Sequence, residues 1–185
     1  MYERIIDIDK KILLAINGLH SPVQDELMTL VSGNVIWIPL YVLLIYFLYK
    51  KYGLQTIWVL VSIALIILIA DRTSVLLFKN IIMRLRPCHN PLISEKIHLV
   101  HEHCGGRFGF VSSHATNTMA VAFFVSRLLK SNKWIRFLLI FYVLLIGYSR
   151  IYLGVHYPLD ILGGWLWGGL IGLCILYLYN YFGRK

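Results

Sequence analysis

The sequence predicts an all-α fold: a polytopic membrane helical bundle of about five transmembrane helices behind an N-terminal amphipathic helical segment. Three observations carry that reading. Of the 185 residues, 58% are hydrophobic and only 15% charged, whereas a soluble domain carries roughly a quarter charged residues. Mean hydropathy is +0.70, and the apolar residues gather in long runs, about 18 such residues being enough to cross the hydrocarbon core of a bilayer. The basic residues cluster at the ends of those runs, where the loops of a membrane protein lie.

Residues 1–33 are amphipathic. Asp7 is the expected N-cap of a first helix, after which Ile8, Ile12, Ile16 and Leu19 recur at helical spacing. Ser21-Pro22 reads as a second helix start, with proline at the first helical position. The segment is too interrupted to span. It either lies along the membrane interface or packs as a first helix against the bundle, and the sequence leaves both readings open. No cleavable signal peptide is expected, because the first thirty residues lack an uninterrupted apolar stretch.

Five spans follow, at 35–50, 54–79, 113–130, 134–149 and 158–182, and the whole chain, 1–185, reads as one domain. The third and fourth spans are joined by a strongly basic turn from Arg127 to Arg136. Placing that turn in the cytoplasm also places Lys50, Lys51, Arg184 and Lys185 there, and it puts the 80–112 loop outside. In the last span Gly164, Gly168 and Gly172 form a small-xxx-small ridge. Packing within the bundle is the first reading of that ridge, and a dimer seam is the second.

The net charge of +9 raises nucleic acid, anionic lipid or an anionic substrate as partners. Nucleic acid is excluded by position, because the basic residues are divided between the two sides of a membrane. Lys79, Arg84, Arg86, Arg107 and Arg150 sit at the outer ends of the spans, and ionisable groups at membrane depth need a functional reason.

Three short segments supply one. In the first, Lys79 and Arg86 are seven positions apart, so on a helix they share a face and form an anion clamp, and Pro87 ends that helix. In the second, Ser112-Ser113-His114 opens the third span. A serine N-cap followed by free backbone N–H groups is a phosphate-binding arrangement, and His114 presents its ring beside it. In the third, running from Ser149-Arg150 to Asp160, His156 and Asp160 are four apart and meet on one helical turn. A carboxylate beside an imidazole fixes its tautomer and raises its basicity, as a nucleophile requires.

The pattern Lys79-x6-Arg86-Pro87, Ser112-x-His114, then Ser149-Arg150-x5-His156-x3-Asp160 resembles the type 2 phosphatidic acid phosphatase superfamily, which also holds glucose-6-phosphatases and vanadium haloperoxidases. The resemblance implies a helical bundle and a metal-free phosphatase without a cofactor. It implies that His156 attacks phosphorus to form a phosphohistidine, with Asp160 holding its ring. His114 would protonate the leaving oxygen and then activate water. Lys79, Arg86, Arg150, Ser112 and the backbone N–H of Ser113 would hold the phosphate oxygens. One departure is visible: the family's second motif usually reads Pro-Ser-Gly-His, and here it is Val111-Ser112-Ser113-His114.

The implied substrate is a lipid phosphomonoester or pyrophosphate in the bilayer, such as phosphatidylglycerol phosphate, undecaprenyl pyrophosphate, phosphatidate or lipid A 1-phosphate. The implied location is a bacterial inner membrane, with the site facing the periplasm. The alternatives are an anionic-lipid transporter or flippase, a phosphatase of a soluble ester, and a haloperoxidase. Transporters commonly show repeated halves, and none is apparent here. The oligomeric state stays open. In the outer loop, Cys88 and Cys104 are expected to form a disulfide, with zinc held by these cysteines and His89, His98, His101 and His103 as the second reading. Asp71 and Arg72 are read as shaping the cavity or as a structural ion pair, and Arg84 as meeting headgroups or water.

Overall fold

The computed structural model describes residues 2–100, 104–130 and 132–182. The helices are α1 (Tyr2–Asn17), α2 (Pro22–Ser32), α3 (Ile38–Tyr52), α4 (Thr56–Thr73), α5 (Asn80–Ile82), α6 (Ser113–Leu128), α7 (Lys133–Tyr152) and α8 (Pro158–Phe182). Among the described residues there is no strand, only an isolated antiparallel bridge between Leu85 and Phe108. Three stretches are long and apolar enough to cross a membrane: Val35–Ile82, Lys133–Tyr152 and Pro158–Phe182.

The central helix is α6, which packs on α4, α7 and above all α8. Glycine makes the last contact possible. A Cβ at Gly164 would lie 2.8 Å from the Ser112 carbonyl oxygen, and one at Gly172 would lie 2.7 Å from that of Ala120. The small-residue ridge therefore faces α6, which settles its reading as packing within the bundle. Leu44, Leu48, Val59, Ile66, Phe124, Leu139 and Ile175 build the main apolar core around this pair.

The two ends of the bundle differ. At one, the Lys51 ammonium and the Tyr52 hydroxyl both donate to the Leu128 carbonyl, bringing the basic end of α3 against the basic turn after α6. The expected partners of that end at Arg184 and Lys185 lie outside the described residues. The other end carries the 80–112 loop and the three motifs described above, with α1 and α2 folded across it.

Helix α1 docks on α7 and α8 with a face that the apolar periodicity does not foretell. Its buried positions are Asp9, Leu13 and Asn17, while Ile5, Ile8 and Ile12 are exposed. It is packed against the bundle, the second of the two readings of this segment, and still turns an apolar stripe outward. Asp7 is not its N-cap. The helix begins at Tyr2, since nothing before Asp7 breaks it, and Asp7 pairs with Lys11 on the surface instead. For α2 the expected cap is present: the Ser21 side chain accepts from the Gln24 N–H, with Pro22 following.

The second expected span holds a further difference. The hydroxyls of Thr73 and Ser74 bond back to the Ile69 and Ala70 carbonyls, which perturbs the helical ladder. The chain then runs as π-helix from Ser74 to Lys79, a local widening often found at functional sites. The helix stops at Ile82, and Met83 is left-handed with φ 49°. Lys79 and Arg86 therefore do not share a helical face. Arg86 stands on extended chain, with its N–H bonded to the Arg107 carbonyl.

Candidate active site

The site assembles where α6, α8 and the extended 84–86 chain meet. Ser112 is fully buried and caps α6, its hydroxyl accepting from the Ala115 N–H. Its own N–H donates to the Asp160 carbonyl at 3.0 Å, so the second and third motifs are tied through the backbone. Before α8 the chain turns at Gly154, whose φ of +72° suits glycine and whose Cβ position lies 3.1 Å from the His98 carbonyl. That turn delivers His156 into the interior, 1% exposed.

Behind His156 stands a chain of paired groups. Its Nδ1 lies 3.3 Å from Asp160 Oδ2, which also accepts from the Tyr157 N–H at 3.1 Å. The other Asp160 oxygen accepts from Arg84 Nη1 at 2.8 Å. Arg84 Nη2 donates to Asp9 Oδ2, and Asp9 Oδ1 accepts from the Leu159 N–H at 2.8 Å. The Arg84 guanidinium covers the Tyr157 ring at 4.0 Å. Gly109 lies over the pair: a Cβ there would meet Asp160 Oδ2 at 2.9 Å and His156 Nδ1 at 3.5 Å.

In front of His156 the groups are cationic and less engaged. Arg86 Nη1 is 3.4 Å from His156 Nε2 and from the Val155 carbonyl oxygen. Lys79 Nζ donates to Ser113 Oγ at 2.8 Å. Arg150 Nη1 donates to Ser32 on α2. Among the described residues the Nε atoms of Arg86 and Arg150 are buried without a partner, and His114 is exposed at the start of α6. Burial, then the charges of Arg86, Arg150, Lys79 and Arg84, hold the His156 imidazole well below the ordinary value of 6.5. It is therefore neutral, with Nε2 facing the cations.

The structure thus brings Lys79, Arg86, Ser113, Arg150, His156 and Asp160 to one end of the bundle, with His114 at its rim and Ser112 beneath. Arg84 is corrected: it meets neither headgroup nor water first, but is held between two carboxylates. Asp71 and Arg72 are exposed on α4 and make no ion pair among the described residues. Asp9, Arg84 and Gly109 were not foreseen. A usable signal existed for Arg84: a residue before proline disfavours helix, and in extended chain residues two apart share a face, which aligns Arg84 with Arg86.

The 80–112 loop joins Cys88 to Cys104, their Cα atoms 6.2 Å apart. His89 is the one described histidine beside them, and sulfurs bonded to each other offer no thiolate for zinc. His98 is instead paired to Asp25 at 2.8 Å, and His101 and His103 lie outside the described residues. Asn17 fastens the same region, donating to the carbonyls of His98 and Tyr152 and accepting from the His98 N–H.

A bundle of apolar helices that sets a neutral histidine between a carboxylate and a group of cations defines a membrane phosphohydrolase. Residues 55–184 match the family model described as PAP2 superfamily. A lipid A 4'-phosphatase of Bacteroides thetaiotaomicron is 37% identical over 175 residues, covering 93% of this chain and 77% of that one. A lipid A 4'-phosphatase of Porphyromonas gingivalis is 33% identical, covering 97% and 76%. The crystal structure of a transmembrane PAP2 type phosphatidylglycerolphosphate phosphatase from Bacillus subtilis shares the fold, with a TM-score of 0.71 over 97% of this chain and 88% of that one at 23% identity. The chain belongs to the PAP2 superfamily.

Proposed function

We propose that this membrane phosphatase removes a terminal phosphate from a lipid at the outer face of the bilayer, with lipid A bearing a 4'-phosphate as the leading substrate. The observation that carries the chemistry is the neutral His156, backed by Asp160 at 3.3 Å and faced by Arg86 at 3.4 Å. His156 Nε2 attacks phosphorus, forming a P–N bond as the P–O bond to the lipid breaks, and His114 gives its proton to the departing oxygen. His114 then takes a proton from water, whose oxygen displaces the histidine and releases inorganic phosphate. Lys79, Arg86 and Arg150, with the Ser113 N–H, hold the non-bridging oxygens, where charge builds in the transition state. Ser112 holds the turn that aims that N–H. No metal is needed in this scheme. The choice of lipid A over the other lipids rests on the two relatives named above.

Five crossings fit the helices best. Val35–Ile82 has 48 residues, far more than the ~20 one crossing needs. It folds back at Gly53, where φ is +55°. Helix α6 has 16 residues but is enclosed by the other spans. Basic residues at the Lys51 end support a site on the periplasmic side of a bacterial inner membrane.

Phosphate release by the purified protein in mixed micelles tests the reading, using lipid A, undecaprenyl pyrophosphate, phosphatidylglycerol phosphate and phosphatidate, each with and without EDTA. The expected result is the highest kcat/KM on lipid A, unchanged by EDTA. A preference for another lipid would move the substrate, and loss in EDTA restored by a metal would overturn the metal-free scheme. Orientation is read separately: an impermeant thiol reagent on intact cells should label a cysteine placed at 95 and spare one at 132.

A further inference from the structure

We propose that Asp9 and Arg84 are positioning residues for this reaction, forming with Asp160 a buried relay through which the N-terminal helix sets the orientation and charge of His156. The proposal rests on the reading of His156 as nucleophile. Asp9 is 2% exposed, although it lies on a helix that carries ample exposed isoleucine. Aspartate is almost never fully buried unless paired, and Asp9 is fully engaged: one oxygen takes the Leu159 N–H at the start of α8, the other the Arg84 guanidinium. Arg84 spends its second arm on Asp160, two bonds from the imidazole nitrogen that must keep its proton.

The charge arithmetic gives Asp9 its role. The charged and titratable groups facing His156 are Lys79 at the end of the π-helical turn, Arg84 and Arg86 on the extended chain, His114 on α6, Arg150 on α7 and Asp160 on α8. Four cations face one carboxylate. Without Asp9, the whole charge of Arg84 would fall on Asp160, weakening that carboxylate as acceptor for Nδ1–H and so the push on Nε2. Asp9 neutralises the far arm of Arg84 and leaves Asp160 its anionic character toward the histidine. Sequence distance is no obstacle: Asp9 and Asp160 are joined through a single guanidinium. A buried ion pair adds little net stability relative to apolar packing, whereas removing one partner leaves a buried charge uncompensated, so the relay is read from the turnover of the folded variants.

The test uses the full chain in mixed micelles with lipid A and, as second probe, phosphatidate. Asp9→Asn and Arg84→Gln should each lower kcat about 10- to 100-fold, the range found when the outer partner of a functional histidine is removed, with KM within about twofold. Asp9→Asn removes an anion and leaves a cation unopposed, which lowers the proton affinity of His156. The acid limb of the kcat/KM profile should therefore move to lower pH. The double variant Asp9→Asn/Arg84→Gln should match Arg84→Gln alone, because Asp9 acts only through Arg84. Asp7→Asn, on the exposed face of the same helix, serves as the control with wild-type kinetics.

Wild-type kcat in Asp9→Asn, a loss confined to KM, an unmoved acid limb, or a double variant several-fold below Arg84→Gln would each overturn the relay. Should Asp9→Asn fail to fold, Arg84→Gln decides alone: it removes a cation beside Asp160, so kcat should fall and the acid limb should move to higher pH, and an unmoved limb or a loss confined to KM would overturn the relay. Turnover by His156→Ala would instead overturn the site on which the relay depends, so the two failures are separable.

Discussion

The two sides of His156 are built on opposite principles. Behind it, Asp160, Arg84 and Asp9 use every carboxylate oxygen, and the backbone N–H groups of Tyr157 and Leu159 complete them. In front, Arg86 and Arg150 keep buried Nε atoms without partners among the described residues, and His114 is exposed. An unsatisfied buried donor costs about 1–3 kcal/mol, more when charged, so a protein does not leave two of them on one wall without compensation from a ligand. The rear is finished in the protein alone. In the proposed mechanism the front is completed by the phosphate of the substrate. Changes behind the ring should therefore act on turnover, and changes in front should act on both binding and turnover.

The largest effects test the hinge of that comparison. His156→Ala should lower kcat at least ~10⁴-fold, as expected when a nucleophile is removed, and should abolish the acid-labile phosphoprotein trapped by a rapid quench with labelled substrate. Asp160→Asn should cost less, roughly 10³-fold in kcat with KM nearly unchanged, because a neutral amide can hold the ring but cannot support the charge that develops on it. Residual phosphoprotein in His156→Ala would remove the histidine from its role. A KM effect dominating Asp160→Asn would erase the distinction between rear and front.

Next come the cations of the front wall. Arg86→Ala and Arg150→Ala should each reduce kcat/KM about 10²- to 10³-fold, the loss typical of one preorganised donor to a developing charge. Both should weaken inhibition by inorganic phosphate, which needs only the front. Asp160→Asn should leave phosphate inhibition unchanged. If phosphate inhibition fell equally in all three variants, the two sides would not be separate devices.

The contrast also explains what could be read without the structure. The front was legible because cations at the ends of apolar runs are conspicuous, and four-residue spacing links His156 to Asp160 on any helical turn. The all-helical architecture followed from the same apolar runs. The rear was hidden by two inversions of ordinary rules. In α1 the apolar spacing points to Ile8, Ile12 and Ile16 as the contact face, toward membrane or bundle alike, whereas the structure packs Asp9, Leu13 and Asn17 inward and leaves Ile8 and Ile12 exposed. In the 83–86 segment a helical period was applied to extended chain, which paired Arg86 with Lys79 and left Arg84 without a direction. Gly109 belongs to no motif, and only the approach of Asp160 and His156 gives it a reason.

The smallest effect should come from the disulfide, and its value lies in which side it touches. Cys88 follows Arg86-Pro87 directly, and Cys104 precedes Gly105, whose Cβ position is 3.6 Å from the Arg86 guanidinium. The bridge thus clamps the chain on both sides of one front-wall cation. Closing a loop of 16 residues is worth ~3 kcal/mol in the chain-entropy model, so the double variant Cys88→Ser/Cys104→Ser should lower Tm by several degrees. Its kinetic signature should be a KM raised about three- to tenfold with kcat within about twofold, since a loosened Arg86 weakens ground-state and transition-state binding alike. Mass spectrometry of unreduced, denatured peptides checks the pairing itself, with Cys174, the thiol outside the bridge, as the internal standard for alkylation. Alkylation of Cys88 and Cys104 to the same extent as Cys174 would show that the bond is absent. A fall in kcat at constant KM would show instead that the loop supports the rear of the site, and that the division between the two sides does not extend to the loop above them.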